Sequence, residues 1–334
     1  MKKTYYLFNP GRMSRKDNTL QFVATDEDGR ELPAKYIPVE GVSDLYLFGA
    51  LDANSTLYNF LAKNRVAVHF FDYYEHYTGS FMPKDYLLAG KMQVEQTLKY
   101  CDPKARIILA RKFVEGSAFN MLKNLKYYSN REKEVQNEIA LIEEYMQGID
   151  RATNVPELMG TEGNIRQAYY QAFDIIVNDF SMAGRSKMPP RNEVNTLISF
   201  GNMMCYSLCL GQIYHTQLNP TISYLHEPGT RRYSLALDLA EIFKPILVDR
   251  TIFRVLNKKE VQEKDFDLKL NGCILKESGK KAFVRAFEEK LNETIKHRTL
   301  NKHVSYKHLV KLECYKLSKH ILGMEEYKPF KIWW

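Results

Sequence analysis

The sequence predicts an α+β protein in which a small N-terminal β-sandwich-like domain, residues 1–85, precedes a larger all-α domain, residues 86–334. Two changes of texture and one length argue for it. Up to about residue 83 the apolar residues fall in short runs rich in aromatic and β-branched side chains, TYYLF, TLQFVAT, KYIPV, DLYLFG, RVAVHFFD and YTGSFMP. Turn clusters NPGR, DEDGR, EGVSD and EHYTG separate them, the pattern of short strands in a small sheet domain. From residue 87 onward helical periodicity takes over, which puts the boundary within 83–90. The 334 residues suffice for a core in each part.

In chain order, one short helix is expected over 54–63 within the strand-rich part. Helices are expected over 89–100, 104–128 and 131–147, carrying Lys91, Arg106, Arg111, Lys112, Lys123 and Lys126, cations that either face phosphates or are simply solvated. In LMGTEGNIRQAYYQAFDII, residues 158–176, Ile165, Ala168, Tyr169, Ala172, Phe173 and Ile176 form one helical stripe. Stepping back three from Ile165 reaches Glu162, which either continues the buried stripe and needs a partner or complements the dipole at the first turn of the helix. RNEVNTLISFGNMMCYSLCLGQIYHTQ is apolar nearly all round and predicts a central buried helix ended by Asn219-Pro220.

The stretch ISYLHEPGTRRYSLALDLAEIFKP follows, residues 222–245. Leu235, Leu239 and Ile242 recur at i, i+4 and i+7, with Ser234, Asp238 and Glu241 at the same spacing on an adjoining face. Pro228-Gly229 lets the chain fold His226 back toward Asp238 and Glu241. One imidazole and clustered carboxylates suit a divalent cation; the plainer alternative is a solvated polar face with a histidine before a turn. A hairpin-like excursion is expected in NKKEVQEKDFDLKLNGC, then helices over 278–298 and 305–322. Between 296 and 319 stand seven Lys or Arg (296, 298, 302, 307, 311, 316, 319) against the single acid Glu313. They read either as an arm that contacts phosphates or as a soluble terminal helix.

Composition is that of an ordinary soluble protein, 45% apolar and 26% charged, with 48 Lys and Arg against 40 Asp and Glu. The resulting +8 favours a polyanionic partner. No signal-peptide core or 18-residue apolar run is present, so a cytoplasmic location is expected. Five scattered cysteines argue for reduced thiols, and Cys205 and Cys209 for core packing in preference to zinc. Glycine-rich phosphate loops, G-x-S-x-G, C-x-x-C and H-E-x-x-H motifs are absent.

The ordered blocks GTEGN, YYQAF, PPRNEVNTLISFGN, LHEPGTRRYSLALDLAEIFKP, ESGKKAF and VSYKHLVK resemble the CRISPR-associated integrase of the adaptation stage, most closely the form found with type I-B systems. The resemblance implies a metal-dependent DNA endonuclease and strand-transfer enzyme that inserts captured DNA into a CRISPR array, a function in antiviral defence. It implies Mg²⁺ or Mn²⁺ held by Glu162, His226 and Glu241, with Asp238 the adjoining catalytic acid. It further implies DNA as substrate, a homodimer, and a complex with the small second adaptation protein. Ser223, Tyr224 and Lys244 depart from the family's common residues and are expected to touch none of the ligands. Two other readings are a non-catalytic basic DNA-binding scaffold and a metal-dependent hydrolase of a small phosphate.

Overall fold

The computed structural model describes residues 2–26, 28–72, 76–84, 89–230, 232–269, 272–297 and 299–333. Residues 85–88 of the expected boundary, Glu27 and Glu75 of two turn clusters, the hairpin positions 270–271 and Arg298 of the basic run lie outside them. The chain divides into two compact units, Met1–Leu88 and Ala89–Trp334.

The first unit is strand-rich: β1 (Lys3–Leu7), β2 (Gly11–Lys16), β3 (Thr19–Ala24), β4 (Lys35–Pro38), β5 (Val42–Leu47), β6 (Leu51–Asp52), α1 (Ser55–Lys63), β7 (Ala67–Phe71) and β8 (Tyr77–Phe81). They form two four-stranded sheets, ordered β1-β5-β7-β8 and β4-β3-β2-β6. In the first, β5 lies between parallel β1 and β7, and VSDLYL is buried at five of its six positions, as a strand covered on both faces must be. In the second, β3 buries alternate residues Leu20, Phe22 and Ala24. Both sheets and α1 share one core, with Met13, Phe22, Leu45, Val68, Leu57 and Phe60 in contact. The sheets are mixed, with parallel pairs β1·β5, β5·β7 and β2·β6, where a simple sandwich would be antiparallel throughout. Strand β2 escapes the sequence pattern because GRMSRK buries only Met13, opposite Phe22. Gly11 opens β2 for a steric reason, since a Cβ there would stand 2.3 Å from the Val23 carbonyl oxygen.

The second unit contains α2 (Gly90–Cys101), α3 (Pro103–Ser129), α4 (Gln136–Met146), α5 (Val155–Gln171), α6 (Phe173–Ile176), α7 (Glu193–Tyr214), α8 (Ser234–Lys244), a π turn (Pro245–Asp249), α9 (Arg250–Asn257), α10 (Glu277–Asn292) and α11 (Tyr306–Ile321). It is helical but not purely so, because β9 (Phe266–Lys269) pairs with β10 (Gly272–Leu275), and β11 (Thr294–Lys296) with β12 (His303–Ser305). The second hairpin takes residues expected to extend α10: Glu293 leaves helical geometry at ψ 140°, and β-branched Thr294 and Ile295 enter a ladder.

Helix α8 is the buried centre of this unit. It packs against α3 on one side and α7 on the other, so its supposed polar face is buried too, with Ser234, Asp238 and Glu241 all shielded from solvent. Its first turn is anchored by Leu235 N–H donating to the Pro220 carbonyl at 3.0 Å and Ser234 Oγ to the Thr221 carbonyl at 2.8 Å. Among the described residues no helix is long and apolar enough to cross a membrane. All five cysteines are free thiols.

Candidate active site

Glu162 and Glu241, 79 positions apart in the chain, meet on one guanidinium. Helix α5 starts at Val155, with Asn154 capping the Glu157 N–H at 3.0 Å and Pro156 in the first turn. Glu162 therefore stands two turns inside the helix, and it is Glu157 that occupies the first turn; the dipole account of Glu162 does not hold. One turn further, Arg166 donates to Glu162 Oε1 through Nε at 2.8 Å and through Nη2. Its Nη2 also donates to Glu241 Oε2, crossing from α5 to α8. Lys244 Nζ takes the other oxygen, Glu241 Oε1, at 2.6 Å. Lys244, expected to stand clear of the candidate metal-holding residues, in fact pairs with Glu241, because three residues on it faces the same side of the helix.

These groups are largely withdrawn from water, the side chains of Arg166, Glu162, Glu241 and Lys244 being 19, 13, 7 and 13% exposed. Burial by itself raises the pKa of Glu241, but Arg166, then Lys244, and also nearby His226 outweigh it and hold the carboxyl below the usual range. Burial likewise disfavours the charged form of Arg166, yet Glu241 and Glu162 more than compensate.

His226 is set by Asp238. The loop before α8 turns back so that Asp238 Oδ2 accepts from Tyr224 N at 2.7 Å and Leu225 N at 3.0 Å. Asp238 Oδ1 accepts from His226 N and from the ring Nδ1, each at 2.9 Å. Because a carboxylate oxygen only accepts, Nδ1 carries the proton and Nε2 is the ring nitrogen with the lone pair, and the imidazole remains partly exposed at 20%. Ser223 Oγ donates to the His226 carbonyl at 2.6 Å, so Ser223 touches one of the candidate residues against expectation, while the Tyr224 backbone N–H reaches Asp238.

The fold thus gathers Glu162, Glu241, His226 and Asp238 into one neighbourhood. As placed, among the described residues, no group of three or more His, Cys, Asp or Glu side chains could hold a metal ion; the Arg166 guanidinium lies where the two glutamates meet.

Two further residues went unread in the sequence. Arg166 had a visible signal, since Glu followed four positions later by Arg is a favourable helix pair. Asp249 had none. It lies on the π turn after α8, hydrogen-bonded by Tyr169, and burial raises its carboxyl to about 7, with Tyr169, Arg166 and Lys244 opposing. Of the helical cations considered for phosphate contact, Arg106 pairs with Glu227, Arg111 donates to the Ala152 carbonyl, Lys112 neighbours Glu115 and Lys126 pairs with Glu143. In the C-terminal basic run, Lys316 and Lys319 pair with Glu313 and Glu325.

The family model described as CRISPR associated protein Cas1 matches residues 5–289. A curated relative named CRISPR-associated endonuclease Cas1 3, from Thermodesulfovibrio yellowstonii, is 46% identical over 333 residues, covering 99% of this chain and all of its own. A solved Cas1 protein from Thermotoga maritima superposes with a TM-score of 0.87 at 39% identity, covering 97% of this chain and 98% of its own. A casposase bound to integration product has the same fold, with a TM-score of 0.87 at 21% identity, over 99% of this chain and 93% of that one. With glutamates from two helices meeting beside an oriented imidazole, and with relatives matched end to end, the chain belongs to the CRISPR-associated Cas1 family.

Proposed function

We propose that this protein is a metal-dependent DNA endonuclease and integrase that joins captured DNA into a CRISPR array, with Glu162, His226 and Glu241 as the metal-holding residues. The observation that carries this reading is the meeting of Glu162 and Glu241, from separate helices, on a single cation beside an imidazole whose Nδ1 is already committed to Asp238. Two carboxylates and one imidazole Nε2 suit Mg²⁺ or Mn²⁺, and the carboxylate–imidazole pair is the usual way a protein orients a histidine toward a metal. Such an ion, when bound, supplies charge neutralisation at the scissile phosphodiester and a lowered pKa for the attacking hydroxyl.

The protein's own groups do the rest. Asp238 fixes the His226 tautomer and ring angle, and Lys244 keeps Glu241 ionised and aimed. The attacking group is the 3′-hydroxyl of the captured fragment, or water in plain hydrolysis. A homodimer and a complex with the small second adaptation protein belong to this proposal and rest on the family resemblance.

Glu162→Ala, His226→Ala and Glu241→Ala should each abolish Mn²⁺-dependent strand transfer while leaving duplex binding in a mobility-shift assay largely intact. Full joining activity in the Glu162 variant would overturn the reading. A second reading, a DNA-binding scaffold whose acids are structural, is favoured by the neutralisation of both glutamates by Arg166 and Lys244. Duplex retention with neither nicking nor joining in either metal would support it.

A further inference from the structure

Arg166 is the group that the ligand reading leaves without a role. It touches both glutamates at once, and the Nη2 atom alone reaches Glu162 Oε1 and Glu241 Oε2. A planar guanidinium can bridge two carboxylates in this way, whereas a lysine presents a single point of charge. Both oxygens of Glu241 are engaged, one by Arg166 and one by Lys244. Two cations, Arg166 and Lys244, already face the two glutamates, so a divalent ion would have to compete with them for the same carboxylate oxygens. A dication placed between the glutamates would stand against a buried guanidinium, and like charges at that separation repel strongly where water is scarce.

We propose that Arg166 is an internal competitor for the divalent cation: it holds Glu162 and Glu241 together in the metal-free protein, and the ion binds only as the guanidinium releases them. The inference rests on the reading of Glu162, His226 and Glu241 as the ligand set. Under it, Arg166 keeps two buried acids from repelling one another when no metal is present, and it sets the metal affinity of the free protein by the cost of its own displacement.

The test is Mn²⁺ binding to the full chain without DNA, followed by the electron paramagnetic resonance signal of free Mn²⁺. Arg166→Gln removes the competing charge and should bind Mn²⁺ about tenfold more tightly than the wild type, or better. Its metal-free form should melt lower than the wild type and gain more in Tm on adding Mn²⁺. A purely structural role predicts the opposite direction, so equal or weaker Mn²⁺ binding in Arg166→Gln overturns the proposal. Should that variant not fold without metal, Arg166→Met decides on the same terms: it removes the charge while keeping an unbranched side chain to fill the space, and an affinity no tighter than wild type overturns the proposal. Glu241→Gln in the wild-type background separates the two readings. Unchanged Mn²⁺ binding there sinks the ligand assignment and this inference with it, whereas weakened binding combined with no gain in Arg166→Gln sinks the inference alone.

Discussion

Asp238 illustrates how a buried charge is tolerated at single-residue scale. Three backbone N–H groups and one imidazole converge on its two oxygens, so the buried carboxylate is compensated by four hydrogen bonds. Asp249 is the contrasting case. Its buried carboxyl is raised from 3.8 to about 7, so the folded protein binds a proton there that the unfolded chain has already lost. Stability from this group is complete below about pH 4 and is lost as pH rises through 7. Asp249→Asn removes the titration. In urea unfolding at pH 5 and pH 7.5, the wild type should lose roughly 2 kcal/mol more than the variant over that interval. Parallel behaviour of the two proteins would show that Asp249 does not titrate in that range.

At the scale of elements, helix α7 and the π turn that follows α8 pack closely against one another. Gly201 in α7 makes that approach possible, because a Cβ there would lie 2.4 Å from Val248 Cγ1 and 3.0 Å from Phe283 Cζ. Gly201→Ala should cost about 1–3 kcal/mol in chemical denaturation, since a packed interior has no slack for the added methyl; a stabilised variant would mean that the two elements separate easily. The π turn is held from other directions also. Asn124 of α3 donates to the Pro245 carbonyl at 2.6 Å and to the Tyr169 hydroxyl at 3.0 Å, and Tyr169 in turn bonds Asp249. Asn120, one turn earlier on α3, donates to the Ile242 carbonyl at 2.9 Å and accepts from Ile332 N at 2.8 Å. Helix α8 and the π turn after it are thereby each fixed by an asparagine that reaches their backbone from one long neighbour, α3.

For the molecule as a whole, the excess of basic residues is the property that bears on partners. With a formal charge of +8, affinity for duplex DNA should fall steeply with salt, and a plot of log affinity against log salt concentration should be linear. The Glu162→Ala protein should give nearly the same slope as the wild type, because the slope reads the number of cations that meet phosphates and the substitution removes none. A shallow slope in both would argue that DNA is not the polyanion this surface meets. Part of the basic count is spent inside the molecule, since Arg106, Lys126, Lys316 and Lys319 have acidic partners of their own. The gross count of 48 Lys and Arg therefore overstates the cations open to a partner, while the net charge, which already subtracts the acids, states the sign of the field.

The sequence by itself determined the change from strands to helices, because periods of two and of 3.6 residues are local and survive in a single string. It also marked Glu162 through the apolar stripe of its helix, and His226 with Asp238 through a short loop and a helical spacing. Sequence pattern left β2 unseen, since one buried methionine carries no period, and it placed Asp238 and Glu241 on a polar face that the fold buries. Only the tertiary structure decided that Glu162 and Glu241 share Arg166, that Lys244 guards Glu241, and that Asp249 sits behind them on a π turn. The Lys244–Glu241 pair is local to α8, but the bridge from Glu162 through Arg166 to Glu241 joins two helices, and the distance between helices is set by packing of the whole unit, which no local window of sequence contains.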